Sequence, residues 1–181
     1  MTEQVESEIK LRVDDPGAAR RALSGLGAQP ARERHFEDNT LYDDAQYSLF
    51  DGGRALRLRR AAGRALVTFK GPREDRADGV KSRPEIELEV ADADAFESIL
   101  TALGYRKVFR YQKYRETYAW RDVEIVLDET PIGTFLEIEG PVATIHAAAT
   151  ALGRGPADYI AESYAALFFA SGGRGDMVFG E

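Results

Sequence analysis

Apolar and polar residues alternate strictly in the stretch Val5-Glu6-Ser7-Glu8-Ile9-Lys10-Leu11-Arg12-Val13. A period of two predicts a β-strand with two unlike faces. One face is small and aliphatic, and the other carries Glu6, Glu8, Lys10 and Arg12. Similar segments recur at roughly 33–41, 54–61, 64–70, 81–90, 105–119, 122–128 and 134–140, which makes about eight strands. Between them the period changes to that of helices. "DDPGAARRALSGLGA" has Asp15 as a cap, Pro16 in the first turn and Gly27 past the end. Residues 92–104 form a second helix with Asp92 or Asp94 as cap and Gly104 as stop. Residues 141–153 form a third behind Pro141, and residues 156–173 form an aromatic-rich fourth. On that fourth helix Ile160, Tyr164, Leu167 and Phe168 make one stripe, which either covers the barrel wall or forms a dimer contact. The tail "RGDMVFGE" carries no assignment.

A shift of 77 residues superimposes Glu8 on Glu85, Leu23 on Leu100, Leu26 on Leu103 and Gly27 on Gly104. Both halves read as charged strand, Asp-rich turn, helix and next strand. An internal structural repeat follows.

The chain of 181 residues is long enough for one domain with a full core. No apolar run approaches a membrane span. The start of the chain, Met-Thr-Glu-Gln-Val-Glu, shows no secretory leader. There are no cysteines, which excludes disulfides, thiolate metal sites and Cys nucleophiles and fits the cytoplasm. A net charge of −7 argues against a general nucleic-acid-binding surface. With only His35 and His146 available, a metal would be held by carboxylate oxygens, which points to Mg2+ or Mn2+.

The charged strand faces change the picture most. Lys81, Arg83, Glu85, Glu87 and Glu89 share one face, Arg57 and Arg59 another, Lys113 and Arg115 a third, and Glu137 and Glu139 a fourth; Lys70 ends "ALVTFK". One such strand reads as the solvated side of an antiparallel sheet. Five or more, with acids and bases segregated, read as a sheet closed on itself with helices outside and charges within. Buried like charges need a counter-ion. Clustered carboxylates ask for a divalent cation and clustered Lys and Arg ask for a polyanion. A metal–polyphosphate complex satisfies both.

The motif Glu6-Ser7-Glu8-Ile9-Lys10 resembles the E-x-E-x-K signature of the CYTH superfamily, the triphosphate tunnel metalloenzymes. That superfamily joins class IV adenylyl cyclases and thiamine triphosphatases. "ALRLRR", "TFKGP", "SRPEIELEV", "YQKYRETY" and "VLDETPIGTFLEIEG" follow in the family's order. The resemblance implies an α+β fold, an eight-stranded antiparallel β-barrel forming a tunnel with a charged interior and helices around it, over residues 1–181. It implies Glu6, Glu8, Asp128, Glu137 and Glu139 as metal ligands. Lys10, Arg57, Arg59, Lys70, Lys113 and Arg115 would hold the triphosphate. Glu85 and Glu87 would either orient the bases or hold a second metal, and Lys10 is the candidate for activating water. Asp128 also reads as a strand end entering the Pro131-Ile132-Gly133 turn.

Some family hydrolases use a tyrosine beside a catalytic lysine; Tyr42, Tyr47 and Tyr164 are the candidates. His35, Asp38 and Asn39 depart from the family's usual segment and read as a turn rather than specificity features. The expected activity is metal-dependent hydrolysis of a triphosphate-containing small molecule: inorganic triphosphate, thiamine triphosphate or a nucleotide. The alternatives are a cyclase making cyclic AMP and pyrophosphate from ATP, and a non-catalytic polyphosphate-binding module. No nucleic acid or membrane partner is expected, and the chain would be a monomer or homodimer.

Overall fold

The computed structural model describes residues 4–75 and 77–180, so the first three residues, which bear on the leader reading, lie outside it. Among the described residues nine strands occur: β1 Gln4–Val13, β2 Gln29–Asp43, β3 Ala55–Ala61, β4 Arg64–Lys70, β5 Glu74–Asp75, β6 Lys81–Val90, β7 Arg106–Trp120, β8 Val123–Thr130 and β9 Gly133–Glu139. Five helices accompany them: α1 Pro16–Leu26, α2 Ser48–Asp51, α3 Ala93–Ala102, α4 Val142–Ala151 and α5 Tyr164–Ala170. Eight strands run antiparallel in the order β1-β9-β8-β7-β2-β3-β4-β6, and β6 pairs back onto β1. The sheet is therefore a closed barrel. The two-residue β5 lies on β6, where Glu74 and Asp75 pair with Ser82 and Lys81.

The topology repeats. β1-α1-β2-β3-β4 matches β6-α3-β7-β8-β9, and each pairing in one half has its counterpart in the other. The β1–β6 register sets Glu6 opposite Arg83, two positions that differ by the 77 residues of the sequence repeat.

Alternation sorts the residues as expected. Ile9, Leu11, Ile125, Leu127, Leu136 and Ile138 point outward, under Leu23 of α1 and Ile145, Ala148 and Ala149 of α4. Each large aliphatic side chain buried this way is worth roughly 1.5–3 kcal/mol. α3 lays Leu100 and Phe96 over Tyr42, Leu58 and Val67. The predicted caps form: Asp15 accepts from Gly17 and Ala18, Asp92 accepts from Asp94 and Ala95, and Gly27 ends α1 at φ 80°. The helical cover stops short of β6, whose outer Ile86 and Leu88 are exposed.

Two expectations need correction. The fourth helix is not continuous over 156–173. Pro156–Asp158 form a single 3-10 turn, Ile160 donates its backbone N–H to the Lys10 carbonyl, and α5 begins only at Tyr164, capped by Ser163 Oγ. β1 pairs with β6 only through Glu8, so its edge at Lys10 is open and captures this segment instead. Ile160 is thus outside the helix, and its helical stripe does not exist.

The extended segment expected at 33–41 is borne out and the turn reading within it is not: His35–Asn39 form the middle of the 15-residue strand β2. The tail, which carried no assignment, also has a place. Met177 accepts from Gln112 N–H and donates to the Arg110 carbonyl, sealing the edge of β7 beyond β8.

Candidate active site

The inward faces carry the charges. β1 contributes Glu6, Glu8 and Lys10, set beside Glu139 and Glu137 of β9. β3 contributes Arg57 and Arg59, between Asn39 and Leu41 of β2 and Leu66 and Thr68 of β4. β7 contributes Lys113 and Arg115, beside Glu37 and His35 on one side and Asp128 on the other. The structure thus brings all thirteen sequence-selected residues to one barrel interior.

One end of this interior is floored by rings. Phe109, Tyr111, Phe135 and Tyr164 are buried and in mutual contact, with Met177 beneath. Tyr164 lies 4.5 Å from Lys10 Nζ and 5.4 Å from Lys113 Nζ, presenting its π-face to both ammonium groups. The other end opens into a vestibule of about 570 Å3, lined by Arg32, Glu33, Arg34, His35, Glu37, Arg59, Arg64, Leu66, Glu89 and three alanines. No Phe, Tyr or Trp is among its lining residues.

Lys10 Nζ donates to Glu137 Oε1 at 2.7 Å. Arg115 bridges Glu137 and Asp128, with Nη2 at 2.6 Å from each. Asp128 is fully buried, and its carboxylate also accepts from Lys113 Nζ and Tyr164 Oη, both at 2.8 Å. On the far wall Arg57 Nη2 donates to Thr68 Oγ1 at 2.9 Å, and the Thr68 hydroxyl donates to Glu87 Oε1 at 2.7 Å. Arg59 reaches Glu37 at 3.3 Å and Asn39 Oδ1 at 3.2 Å. Lys70 pairs with Glu85, and Lys81 lies 3.5 Å from Glu8.

The electrostatics divide the interior in two. Burial and a hydrogen bond with Glu85, with Glu139 adding repulsion, push the Glu6 carboxyl up to about 8. Burial, Glu8 and Glu124 raise Glu139 to about 7. These acids repel one another. Glu8 is held below the usual carboxylate range: burial and Glu137 act upward, but Lys10, Lys81 and Lys70 outweigh them. Deeper in, bases dominate. Burial acts upward on Glu37, yet Lys113, Arg115 and Arg59 bring it far down. Burial and Arg57 lower Arg59 to about 10, because two guanidiniums share one wall. A polyanion would relieve that repulsion.

Two sequence expectations meet this geometry differently. Asp128 accepts from Lys113, Arg115 and Tyr164 and shares Arg115 with Glu137, whose other oxygen accepts from Lys10. In this arrangement it orients Lys113 and Arg115. Lys10 is held as an ammonium: burial opposes its charge, but Glu137 and Glu8 outweigh burial and raise it. Lys81 moves the other way, to about 8, through burial and the neighbouring Lys10.

Of the three candidate tyrosines, Tyr164 lies on the tunnel floor. Tyr42 points outward to Glu97 on α3, and Tyr47 is exposed. The sequence reading left Lys81 without a role and missed Glu37, Asn39, Thr68 and Tyr111 as interior residues. Alternation of His35, Glu37 and Asn39 was the available signal for two of them, and the reading of that segment as a turn hid it.

A divalent cation fits the donor chemistry of the acidic side. Glu6, Glu8, Glu137 and Glu139 offer hard carboxylate oxygens, and burial together with acidic neighbours makes Glu6 and Glu139 slow to ionise unless a cation compensates them. Among the described residues no three acidic or histidine side chains already converge on one point. A cation would draw the glutamates away from their lysine partners.

A closed barrel floored by rings, with acids and bases on opposed inner walls, defines a tunnel-type β-barrel protein. The chain belongs to the CYTH domain family, whose profile matches residues 4–164. It is 31% identical over 143 residues, 78% of this chain and 80% of the other, to a protein of Methanocaldococcus jannaschii provisionally named an adenylate cyclase. It is 32% identical over 136 residues to the adenylate cyclase CyaB of Aeromonas hydrophila, covering 74% of this chain and 67% of that one. The fold matches that of HpAC1 from Hippeastrum with a TM-score of 0.69 at 20% identity, covering 93% and 97% of the two chains. HpAC1 is described as a provisional adenylyl cyclase with a dominant triphosphatase activity.

Proposed function

We propose that this protein is a divalent-metal-dependent enzyme that hydrolyses a triphosphate inside its barrel. The observation that carries the reading is the opposition of Glu6, Glu8 and Glu139 on one wall to Arg57, Arg59, Lys113 and Arg115 across the lumen. Mg2+ or Mn2+ held by Glu6, Glu8, Glu137 and Glu139 would polarise a phosphorus centre and acidify bound water. Arg57 and Arg59 would fork onto phosphoryl oxygens, with Lys113, Arg115 and Lys10 neutralising charge that builds in the transition state. Lys70, Glu85 and Glu87 would orient these bases through the Lys70–Glu85 and Arg57–Thr68–Glu87 contacts. The ring floor excludes water from the deep end, which strengthens every one of these interactions. The compartment we assign is the cytoplasm.

A second reading is ATP cyclisation to cyclic AMP and pyrophosphate, favoured by the names of the two sequence relatives. It asks for an adenine seat. The vestibule is lined mainly by charges and alanines, with His35 as its one ring and no Phe, Tyr or Trp, which favours hydrolysis. The deciding experiment incubates the pure protein with Mg2+ or Mn2+ and, separately, ATP, inorganic triphosphate and thiamine triphosphate, and resolves products by 31P NMR. Orthophosphate as the released product supports hydrolysis and names the substrate. Cyclic AMP with pyrophosphate replaces this reading with the cyclase. Thermal stabilisation by metal triphosphate without turnover reduces the protein to a binding module.

A further inference from the structure

Asn39 has no role in the family-derived site, yet it is fully buried in the barrel interior. It sits on β2 with Arg59 and Tyr111 as its cross-strand neighbours. Its Oδ1 accepts from Arg59 Nε at 3.2 Å, which fixes the amide orientation, since the flipped amide would set donor against donor. Nδ2 then points away from Arg59 with two hydrogens and no hydrogen-bond partner among the described residues. Arg57 Nε, on the same wall, is a second buried donor without a partner. The nearby carboxylate of Glu37 forms ion pairs with Arg59 at 3.3 Å and Lys113 at 3.6 Å, although its Oε2 accepts no hydrogen bond among the described residues. Buried donors are rarely left unpaired, and an amide N–H and a guanidinium Nε–H on one wall call for an anionic acceptor.

We propose that Asn39 is a further substrate-binding residue, whose Nδ2 donates to a non-bridging oxygen of the phosphoryl group seated on Arg57 and Arg59. This rests on the triphosphate reading above. A tetrahedral phosphoryl group presents oxygens in several directions, so it accepts from Arg57, Arg59 and the amide together, whereas a planar carboxylate does not. A neutral donor also suits this position. Arg57 already acts against the charge on Arg59, and a third cation would add repulsion whenever the lumen holds no anion.

The test uses the 15N-labelled full chain with inorganic tripolyphosphate and Ca2+ in place of Mg2+, with 31P spectra of the same tube showing that the ligand is intact. The Asn39 side-chain amide pair is assigned through its own Cβ in the wild type, so no variant has to fold. The pair is expected to move downfield in 1H as tripolyphosphate is added. Asn39→Leu is expected to weaken tripolyphosphate binding by about tenfold in calorimetry, the scale of one hydrogen bond to a charged group. An amide pair that stays still while the Arg57 and Arg59 Nε–H signals move overturns the proposal and leaves the triphosphate reading standing. No movement of any interior signal, and no heat of binding, overturns the triphosphate reading and this proposal with it.

Discussion

Tyr164 on the C-terminal helix donates its hydroxyl to Asp128 in the barrel wall at 2.8 Å, with both side chains buried. A residue 36 positions further along the chain thereby completes the floor of the lumen and one corner of its ion network. Burial, followed by the Asp128 charge, pushes the Tyr164 hydroxyl well above its ordinary range. Tyr164 is therefore a permanent donor. Tyr164→Phe removes that donor but keeps the ring. Urea denaturation should show a loss of about 1–3 kcal/mol, the scale for a hydrogen bond to a charged group. An unchanged midpoint would mean that Lys113 and Arg115 alone satisfy Asp128.

Glu8→Gln and Glu139→Gln each remove one anionic oxygen from the acidic wall. Both variants should keep the wild-type circular dichroism spectrum. Both should lose more metal-dependent turnover than the roughly 10–100-fold that follows loss of an outer-shell partner. Near-normal rates in both would refute the metal assignment.

Arg57→Ala should weaken tripolyphosphate binding by about 100-fold, because it strips a buried, hydrogen-bonded cation from the basic wall. Arg21→Ala, on the exposed face of α1, is the control and should bind as wild type does. Equal affinities for the two variants would mean that the lumen does not hold the anion.

Folded-state values of about 8 for Glu6 and about 7 for Glu139 exceed the ordinary 4.5 of a free glutamate. Between pH 5 and 8 the folded protein therefore holds protons that the unfolded chain has released, so these two groups make stability fall as pH rises. The groups that face them are Glu85, Glu8, Glu124 and Lys70. The melting temperature of metal-free protein should decline across that window. Mg2+ should reverse the decline and release protons on binding, which calorimetry in two buffers of different ionisation enthalpy measures. Proton release should shrink in Glu6→Gln. A pH-independent melting temperature with no proton release would contradict the acidic-wall reading.

Met177 is fully buried under the aromatic floor while its backbone seals the β7 edge. Met177→Ala should cost about 2–5 kcal/mol through the cavity it leaves. A smaller change in thermal unfolding would show that the tail frays without loosening the barrel.

Much of the fold was legible in local pattern. Alternation at Val5–Val13 and in "KSRPEIELEV" fixed which residues share a face, because a strand places every second side chain on one side whatever surrounds it. Asp15, Gly27 and Asp92 marked helix ends through hydrogen bonds that span only a few residues. The misread segments all depend on partners far along the chain. Residues 156–163 have the composition of a helix, yet they are drawn into an extended path by the open edge of β1 at Lys10. Residues 35–39 look like a polar turn, yet β3 and β7 flank them and make them a strand.

For the site, the sequence by itself determined the inventory: which glutamates, lysines and arginines occupy the charged strand faces, and hence that the interior is an array of both signs. Only the tertiary structure decided who meets whom. It put Asp128 among the cations, paired Lys10 with Glu137, brought Tyr164 under the lumen and left the Asn39 amide facing it unpaired. The reason is physical. Side-chain direction along a strand is set by the backbone one residue at a time. Charge state and pairing are set by burial and by neighbours that the closing of the barrel supplies.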